Sequence, residues 1–205
     1  MKKFELTNEF ITNMFGTKLF RIRALVEFGD VEAGELGGYV EKESNLGHDD
    51  NAWVYDNAWV YGNARVYGDA LVYDNARVYD NAWVYGDAQV SGNARVYGNA
   101  WVYGDALVYG DARVYGNALV CGDARVCGDA RVCGNGDYAY AHGFGSVNRT
   151  TTFFRLKDGG VGVRCGCFYG TLAQFRDKIR ETHGETKKAQ EYLMLADLMK
   201  LRFEK

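Results

Sequence analysis

The segment NAWVYDNAWVYGNARVYGDALVYD, residues 51–74, opens a run of fourteen consecutive hexads that ends at residue 134. Each hexad has Asn or Asp first, Ala second and Val fourth, and, except at Ser91, Tyr or Cys fifth. Alternation of apolar Ala and Val with outward-facing positions is the period-2 pattern of a β-strand. The sixth residue is Gly or Asp, and Gly next to Asn or Asp indicates a turn after every strand.

Strands with a turn in every hexad cannot form hairpins, so each must stack on an equivalent strand of another coil in a parallel solenoid. Where two hexads stack on each other, their first residues should be of the same type, both Asn or both Asp. They match in 6 of 13 pairs of adjacent hexads, in 4 of 12 pairs two hexads apart and in 9 of 11 pairs three hexads apart. The sequence therefore predicts a triangular prism with three hexads in each coil. The absence of proline agrees, because every N–H is needed for the next coil.

The unit Val54-Tyr55-Asp56-Asn57-Ala58 resembles the hexapeptide-repeat, left-handed β-helix family, in which an aliphatic residue and a small residue four positions later fill the interior. The resemblance implies a mainly β protein whose residues 51–140 form a single-stranded left-handed parallel β-helix. Handedness follows from the resemblance alone. Because the family includes acyltransferases, scaffolds and uncharacterised proteins, the resemblance implies a fold rather than a function.

Residues 1–50 are predicted to cap the first coil, because an open solenoid exposes its core and strand edges. Residues 18–26 are strand-like, and Val31, Leu36, Val40 and Leu46 form an irregular lead-in to the hexads. The segment RIRALVEFGDVEAGELGGYVEKESNL resembles the N-terminal cap of the same hexapeptide group.

Residues 141–205 are predicted to form a β-hairpin and two helices. The hairpin strands are residues 151–156 and 161–168. Thr171 and Gln174 match a capping box for a helix that ends at His183, and a last helix carries an apolar stripe. The segments GSVNRTTTFF and VRCGCFYGTLAQF resemble a C-terminal module of uncharacterised phage and prophage repeat proteins.

A coil of three hexads sorts the outward-facing third positions into three columns. Face one carries Trp53, Leu71, Gln89, Leu107 and Arg125. Face two carries Trp59 and then the arginine ladder, Arg77, Arg95, Arg113 and Arg131, beside the tyrosine ladder, Tyr61, Tyr79, Tyr97 and Tyr115. Face three carries Arg65, Trp83, Trp101 and Leu119, beside Tyr67, Tyr85 and Tyr103.

Two corners carry further ladders of one residue type. The asparagine ladder is Asn63, Asn81, Asn99, Asn117 and Asn135, and the aspartate ladder is Asp69, Asp87, Asp105 and Asp123. At the spacing of about 4.8 Å between stacked residues, asparagines can hydrogen-bond side chain to side chain. Neighbouring charges of one sign repel by about 1 kcal/mol in water, and we expect the arginine and aspartate ladders to neutralise each other in part.

These columns predict a binding or scaffolding protein that is not an enzyme and needs no cofactor. The arginine and tyrosine ladders are the candidate binding residues, for a protein partner or for a small phosphorylated molecule. Trp83, Trp101 and Leu119, with the tyrosines beside them, are the candidate interface. Either a second copy of the chain, in a dimer or trimer, or the C-terminal helices would cover it. The phage-like resemblance extends the hypothesis to inhibition of a host protein or sequestration of a host nucleotide.

The main alternative is a coenzyme A-dependent acyltransferase, which the resemblance also includes and which needs a general base. Residues 51–134 contain no histidine, so His48, at the entry to the first coil, is the candidate. Cys121, Cys127 and Cys133 fall on successive faces and cannot share a metal ion. Cys165 and Cys167 are expected to pack in a core with Val161 and Val163.

Charge and composition exclude several other classes. The net charge of −3 argues against nucleic acid and an acidic membrane as partners. No run of apolar residues is long enough to span a bilayer, and the first residues lack the apolar core of a signal peptide. Five cysteines, an odd number, then indicate the reducing cytoplasm, or the host cytoplasm for a phage protein.

Overall fold

A computed structural model describes residues 1–145 and 148–204, and Ser146, Val147 and Lys205 lie outside the described residues. The hexads form fourteen two-residue strands, each of one outward-facing residue and its Val. They are β4 (Trp53–Val54), β5 (Trp59–Val60), β6 (Arg65–Val66), β7 (Leu71–Val72), β8 (Arg77–Val78), β9 (Trp83–Val84), β10 (Gln89–Val90), β11 (Arg95–Val96), β12 (Trp101–Val102), β13 (Leu107–Val108), β14 (Arg113–Val114), β15 (Leu119–Val120), β16 (Arg125–Val126) and β17 (Arg131–Val132).

These strands stack in parallel and confirm the coil of three hexads. Face one is the sheet β4-β7-β10-β13-β16, face three is β6-β9-β12-β15, and face two contains β5-β8-β11-β14-β17. Backbone bonds join successive coils, as where the N–H of Arg95 donates to the carbonyl of Ala112 at 2.9 Å. Every Ala and Val of the repeat is fully buried, so the interior is a single column of small side chains in a solenoid of about five coils.

The N-terminal segment extends the sheet of face two and closes the first coil. Strands β1 (Phe4–Thr12), β2 (Lys18–Ala24) and β3 (Leu36–Val40) precede a short 3-10 helix at Glu43–Asn45. The first two pair antiparallel, and β3 pairs in parallel with β5. The β1 strand is an addition to the prediction, and Leu36 of the expected lead-in is exposed.

The C-terminal unit is a four-stranded antiparallel sheet covered by two helices, and it contains the predicted hairpin with one further strand on each side. The strands are β18 (Tyr138–Phe144), β19 (Arg149–Arg155), β20 (Val161–Cys165) and β21 (Phe168–Thr171). The predicted second hairpin strand is therefore two strands separated by a turn at Gly166 and Cys167. The glycine has a φ of +57°, which favours this residue type.

Both predicted helices are present, α1 (Leu172–His183) and α2 (Lys187–Phe203). The capping box of Thr171 and Gln174 forms as expected, and Gly184 ends α1. Phe175, Tyr192 and Met199 pack with Phe153 of the sheet in a second hydrophobic core. Neither helix combines the length and the apolar character that crossing a membrane requires.

The β19 strand closes the open end of the last coil. The side chain of Phe154 is fully buried in the same core as the valines and alanines of the solenoid. The hydroxyl of Thr152 accepts the N–H of Arg125 at 2.9 Å, and the N–H of Lys157 donates to the carbonyl of Asp129 at 3.1 Å. The cap thus satisfies strand-edge groups that the next coil would otherwise pair.

Candidate binding surfaces

The arginine ladder runs along face two in strict register. Strand pairing places Arg77 beside Arg95, Arg95 beside Arg113 and Arg113 beside Arg131. At about 4.8 Å per coil the four residues span roughly 14 Å. The sheet holds each Cα in place, because the valine that follows every arginine is fully buried. The result is a straight column of positive charge on a rigid wall.

The two ends of the arginine ladder are engaged within the chain. The guanidinium of Arg77 lies 4.1 Å from the ring centroid of Trp59, a cation–π contact. Arg131 donates from Nη1 to the carbonyls of Asp111, at 3.0 Å, and Ala130, at 2.8 Å. The described residues contain no carboxylate within 4.0 Å of any ladder guanidinium. Arg95 and Arg113 therefore form the least engaged part of the ladder.

The tyrosine ladder is a continuous stack beside these arginines. Successive ring centroids lie 5.0, 4.9 and 5.1 Å apart, and the rings are parallel to within 6°. Burial between its neighbours raises the pKa of Tyr79 to about 12, so the ring stays neutral at ordinary pH. The arginines thus stand next to a flat, neutral aromatic strip that can support the planar part of a ligand.

The aspartate ladder forms no ion pair with the arginine ladder within the described part of the chain. It occupies a different corner, where Asn51 donates to Asp69 at 2.6 Å and His142 lies 3.5 Å from Asp123. The asparagine ladder forms three of its four predicted bonds: Nδ2 of Asn63, Asn81 and Asn99 each donates to Oδ1 of the next asparagine, at 3.1, 3.2 and 3.2 Å. At the end of the ladder, Oδ1 of Asn135 accepts the backbone N–H of Leu119 at 2.8 Å instead. The same face-two hexads also carry Asp80, Asp111 and Asp129, but none of these carboxylates pairs with a ladder guanidinium within 4.0 Å.

Face three carries the predicted aromatic patch. The Trp83 and Trp101 rings stack 5.2 Å apart and 6° from parallel, and Tyr67, Tyr85 and Tyr103 stack at 4.9 and 5.0 Å. Trp101 is 38% exposed. The C-terminal helices pack on their own sheet, so they do not cover it. Leu119 lies at the end of the column, and its backbone carbonyl accepts a hydrogen bond from the Tyr138 hydroxyl at 2.6 Å.

His48 is part of the N-terminal cap. Its ring stacks on Phe4, with centroids 4.5 Å apart, and its Nδ1 accepts the backbone N–H of Lys3 at 3.2 Å. Desolvation lowers the pKa of the imidazole, which is thus neutral at pH 7. One of its two ring nitrogens is already engaged in the cap.

The cysteines of the repeat follow three different strands, β15, β16 and β17, which belong to three different sheets, as predicted. The expectation for the second pair was wrong in part. Cys165 is half-buried and accepts the Thr151 hydroxyl at 3.2 Å, but Cys167 is exposed in the turn between two strands. The turn breaks the strand alternation that would have placed both thiols in a core.

A cleft of about 290 Å³ lies on face one, where the C-terminal sheet approaches the coils. It is lined by Tyr73, Gln89, Ser91, Leu107, Tyr109, Arg125 and Arg164. Sequence reasoning did not identify this site, because Arg164 reaches it only through the docking of the C-terminal unit. The sequence does contain one indication of this site: Gln89 and Ser91, each found once at its position in the fourteen hexads, belong to the same hexad.

This geometry is that of a β-solenoid repeat protein with a capping segment at each end. The chain is similar to the family described as YdcK Beta solenoid repeat, whose model matches residues 58–73, 70–86, 88–104 and 106–125. All four matches lie within the coils, so the similarity concerns the repeat and leaves both terminal segments outside it. No curated protein matches the chain.

Proposed function

We propose that this protein is a non-catalytic scaffold that binds an acidic partner protein through face two. The observation that carries the proposal is the arginine ladder, which has no carboxylate partner within the described ranges and lies beside a stacked tyrosine ladder. A rigid surface loses little conformational entropy when a partner covers it. The repeat contains arginine but no lysine, and the planar guanidinium forms paired hydrogen bonds to carboxylates and stacks on rings.

The experiment uses fluorescein-labelled poly-L-glutamate as a probe and measures anisotropy at low and at moderate salt. The double variant Arg95→Gln, Arg113→Gln removes the least engaged charges of the ladder and is expected to weaken binding by at least tenfold. The matched control is the double variant Arg65→Gln, Arg125→Gln, which removes two arginines from the other two faces. Equal affinities of the ladder variant and the control would show that binding reflects overall charge, and would overturn the proposal.

We further propose that face three holds a second copy of the chain, in a dimer or trimer. Support comes from the stacked and partly exposed indoles, because contiguous aromatic patches on a protein surface commonly meet a partner. Light scattering after size-exclusion chromatography gives the oligomeric state. Trp101→Ser should shift the protein to monomer, whereas Trp59→Ser on face two should not. A wild-type monomer at 100 μM would refute this contact.

Two finer versions of the proposal concern the ligand and the setting. A small phosphorylated molecule could be held by guanidinium and ring together, and in a phage setting the bound molecule would be a host protein or a host nucleotide. The non-catalytic part of the proposal is tested with acetyl-coenzyme A. It should leave the melting temperature unchanged, and a stabilisation of several degrees that His48→Ala abolishes would favour the acyltransferase instead.

A further inference from the structure

One hexad departs from the repeat at both of its variable outward positions. Residues 87–92 read DAQVSG, and they contain the only Gln at a third position and the only Ser at a fifth position of the fourteen hexads. Gln89 and Ser91 line the same cleft on face one. Departures from an otherwise regular local pattern concentrate at functional sites, so this hexad calls for a separate explanation.

Ser91 removes one ring from a column of tyrosines. Tyr73 lies one coil below and Tyr109 one coil above it, as the pairing of Gln89 with Leu71 and Leu107 shows. In the uninterrupted columns neighbouring rings stack 4.9–5.1 Å apart. Ser91 is 9% exposed and lines the cleft at a level where the other columns hold a tyrosine ring. The Tyr73 hydroxyl donates to Oε1 of Gln89 at 3.2 Å and fixes one wall of the cleft.

Two arginines supply positive charge at the same cleft. Arg125 comes from the last strand of face one, and Arg164 comes from β20 of the C-terminal sheet. The guanidinium of Arg164 lies 5.9 Å from the ring centroid of Tyr109, and its Nη1 donates to the carbonyl of Cys167 at 3.4 Å. Its Nε is buried and has no hydrogen-bond partner among residues 1–145 and 148–204, which is costly unless a ligand supplies an acceptor.

The chemistry of the lining residues defines what fits. The lining residues comprise two tyrosines, one leucine, an amide, a hydroxyl and two guanidiniums, without a carboxylate. A ring can stack on tyrosine, an amide and a hydroxyl can bond the polar edge of a base, and two guanidiniums can bind a phosphate. The volume of about 290 Å³ lies just below the range of ligand pockets, about 300–1,000 Å³, as suits a ligand of the size of a single nucleotide.

We propose that this cleft binds a single nucleotide, a nucleoside 5′-monophosphate. The base occupies the ring level vacated at Ser91, beside Tyr109, and its polar edge meets Gln89. The phosphate binds Arg125 and Arg164, so the site is complete only when the C-terminal unit is docked on the coils. The proposal requires no covalent chemistry, and it is independent of the arginine ladder on face two.

Isothermal titration calorimetry of the full chain tests the proposal with AMP and GMP, and with adenosine and inorganic phosphate as half-ligand probes. A monophosphate should bind at least tenfold more tightly than either half, because stacking and phosphate contacts add. Ser91→Tyr restores the repeat pattern and places a ring in the vacated level, so it should fold normally and abolish binding. Arg164→Gln should weaken AMP and GMP binding by roughly 10- to 100-fold, the range expected for a charge-assisted hydrogen bond.

Arg65→Gln on face three, outside both the arginine ladder and the cleft, is the matched control and should leave nucleotide affinity unchanged. Circular dichroism and the melting temperature establish that each variant is folded. Absence of nucleotide binding at 1 mM would overturn the proposal, as would equal binding by Ser91→Tyr and the wild type. Phosphate binding as tightly as AMP would indicate a simple anion site and would also overturn it. Because the ladder variants report on face two and Ser91→Tyr reports on the cleft, the two proposals can fail separately.

Discussion

Replacing Gly98 tests how the corners of the solenoid are built. The sixth position of a hexad is Gly or Asp, and in all hexads but the last it adopts a left-handed conformation: φ is +71° at Gly98 and +61° at Asp80, one coil below. A Cβ on Gly98 would lie 3.0 Å from the backbone nitrogen of Gly116, one coil above. The left-handed region costs a non-glycine residue about 1–2 kcal/mol. Gly98→Ala should therefore lower the free energy of unfolding by about that amount.

An Asp at this position recovers part of the cost through its side chain. Oδ2 of Asp80 accepts the N–H of Gly98 at 3.3 Å, and Oδ2 of Asp74 accepts the N–H of Gly92 at 2.9 Å. Asn can make the same bond through Oδ1 without adding a charge above Asp80, and it tolerates the left-handed region. A neutral hydrogen bond contributes about 1 kcal/mol. Gly98→Asn should accordingly be about 1 kcal/mol more stable than Gly98→Ala.

Urea denaturation followed by circular dichroism measures both variants against the wild type. Equal slopes of free energy against urea concentration are needed for the comparison, because a solenoid can unfold in parts. The expected order of stability is wild type, Gly98→Asn, then Gly98→Ala. The reasoning is refuted if the alanine variant equals or exceeds the asparagine variant, because corner geometry and the side-chain bond would then contribute nothing.

Three further predictions concern the interior, the N-terminal cap and the tyrosine ladder. Val96→Asp buries an unpaired carboxylate at a fully buried site and should unfold the coils. The control Arg95→Gln, at the neighbouring outward position, should have a melting temperature near that of the wild type. A folded Val96→Asp protein would contradict the assigned interior. Burial lowers the pKa of Lys3 from 10.5 to about 8. The unfolded chain then binds the Lys3 proton more tightly than the folded chain, so the free energy of unfolding should rise between pH 8 and 10.5. Urea midpoints measured across this pH range should show a smaller rise for Lys3→Met than for the wild type. The pKa of Tyr79 is raised from 10.0 to about 12, so its contribution to stability should be present below pH 10 and fall as pH rises towards 12. Absorbance at 295 nm of wild type and Tyr79→Phe measures this titration, and a difference centred at pH 10 would contradict the burial.

The coils were predictable because each position of the hexad meets the same environment fourteen times. Matching the Asn and Asp choices three hexads apart was sufficient to place Arg95 beside Arg113 and Trp83 beside Trp101, as the strand pairing confirms. Burial of alanine and valine followed from strand alternation. The ladders are a direct consequence, since a parallel stack repeats its outward residues at one spacing.

The terminal segments were predicted less well because their structure depends on contacts distant in sequence. Strand β1 has no periodic pattern of its own and forms by pairing with β2. The turn at Gly166 and Cys167 interrupts a segment whose composition alone resembles one strand. Aromatic residues around these ends pack against the solenoid or a second core, and neither neighbour is specified by local sequence.

The sequence by itself determined the solenoid, its interior and the order of residues on its three faces. The physical reason is that backbone hydrogen bonds between coils and burial of valine fix the register at every repeat. Only the tertiary structure decided which surfaces stay open. It placed β19 across the last coil, directed the helices onto their own sheet and away from Trp101, and brought Arg164 to the gap at Ser91. Docking of a non-repeating unit depends on shape and on contacts between distant residues, which no period in the sequence encodes.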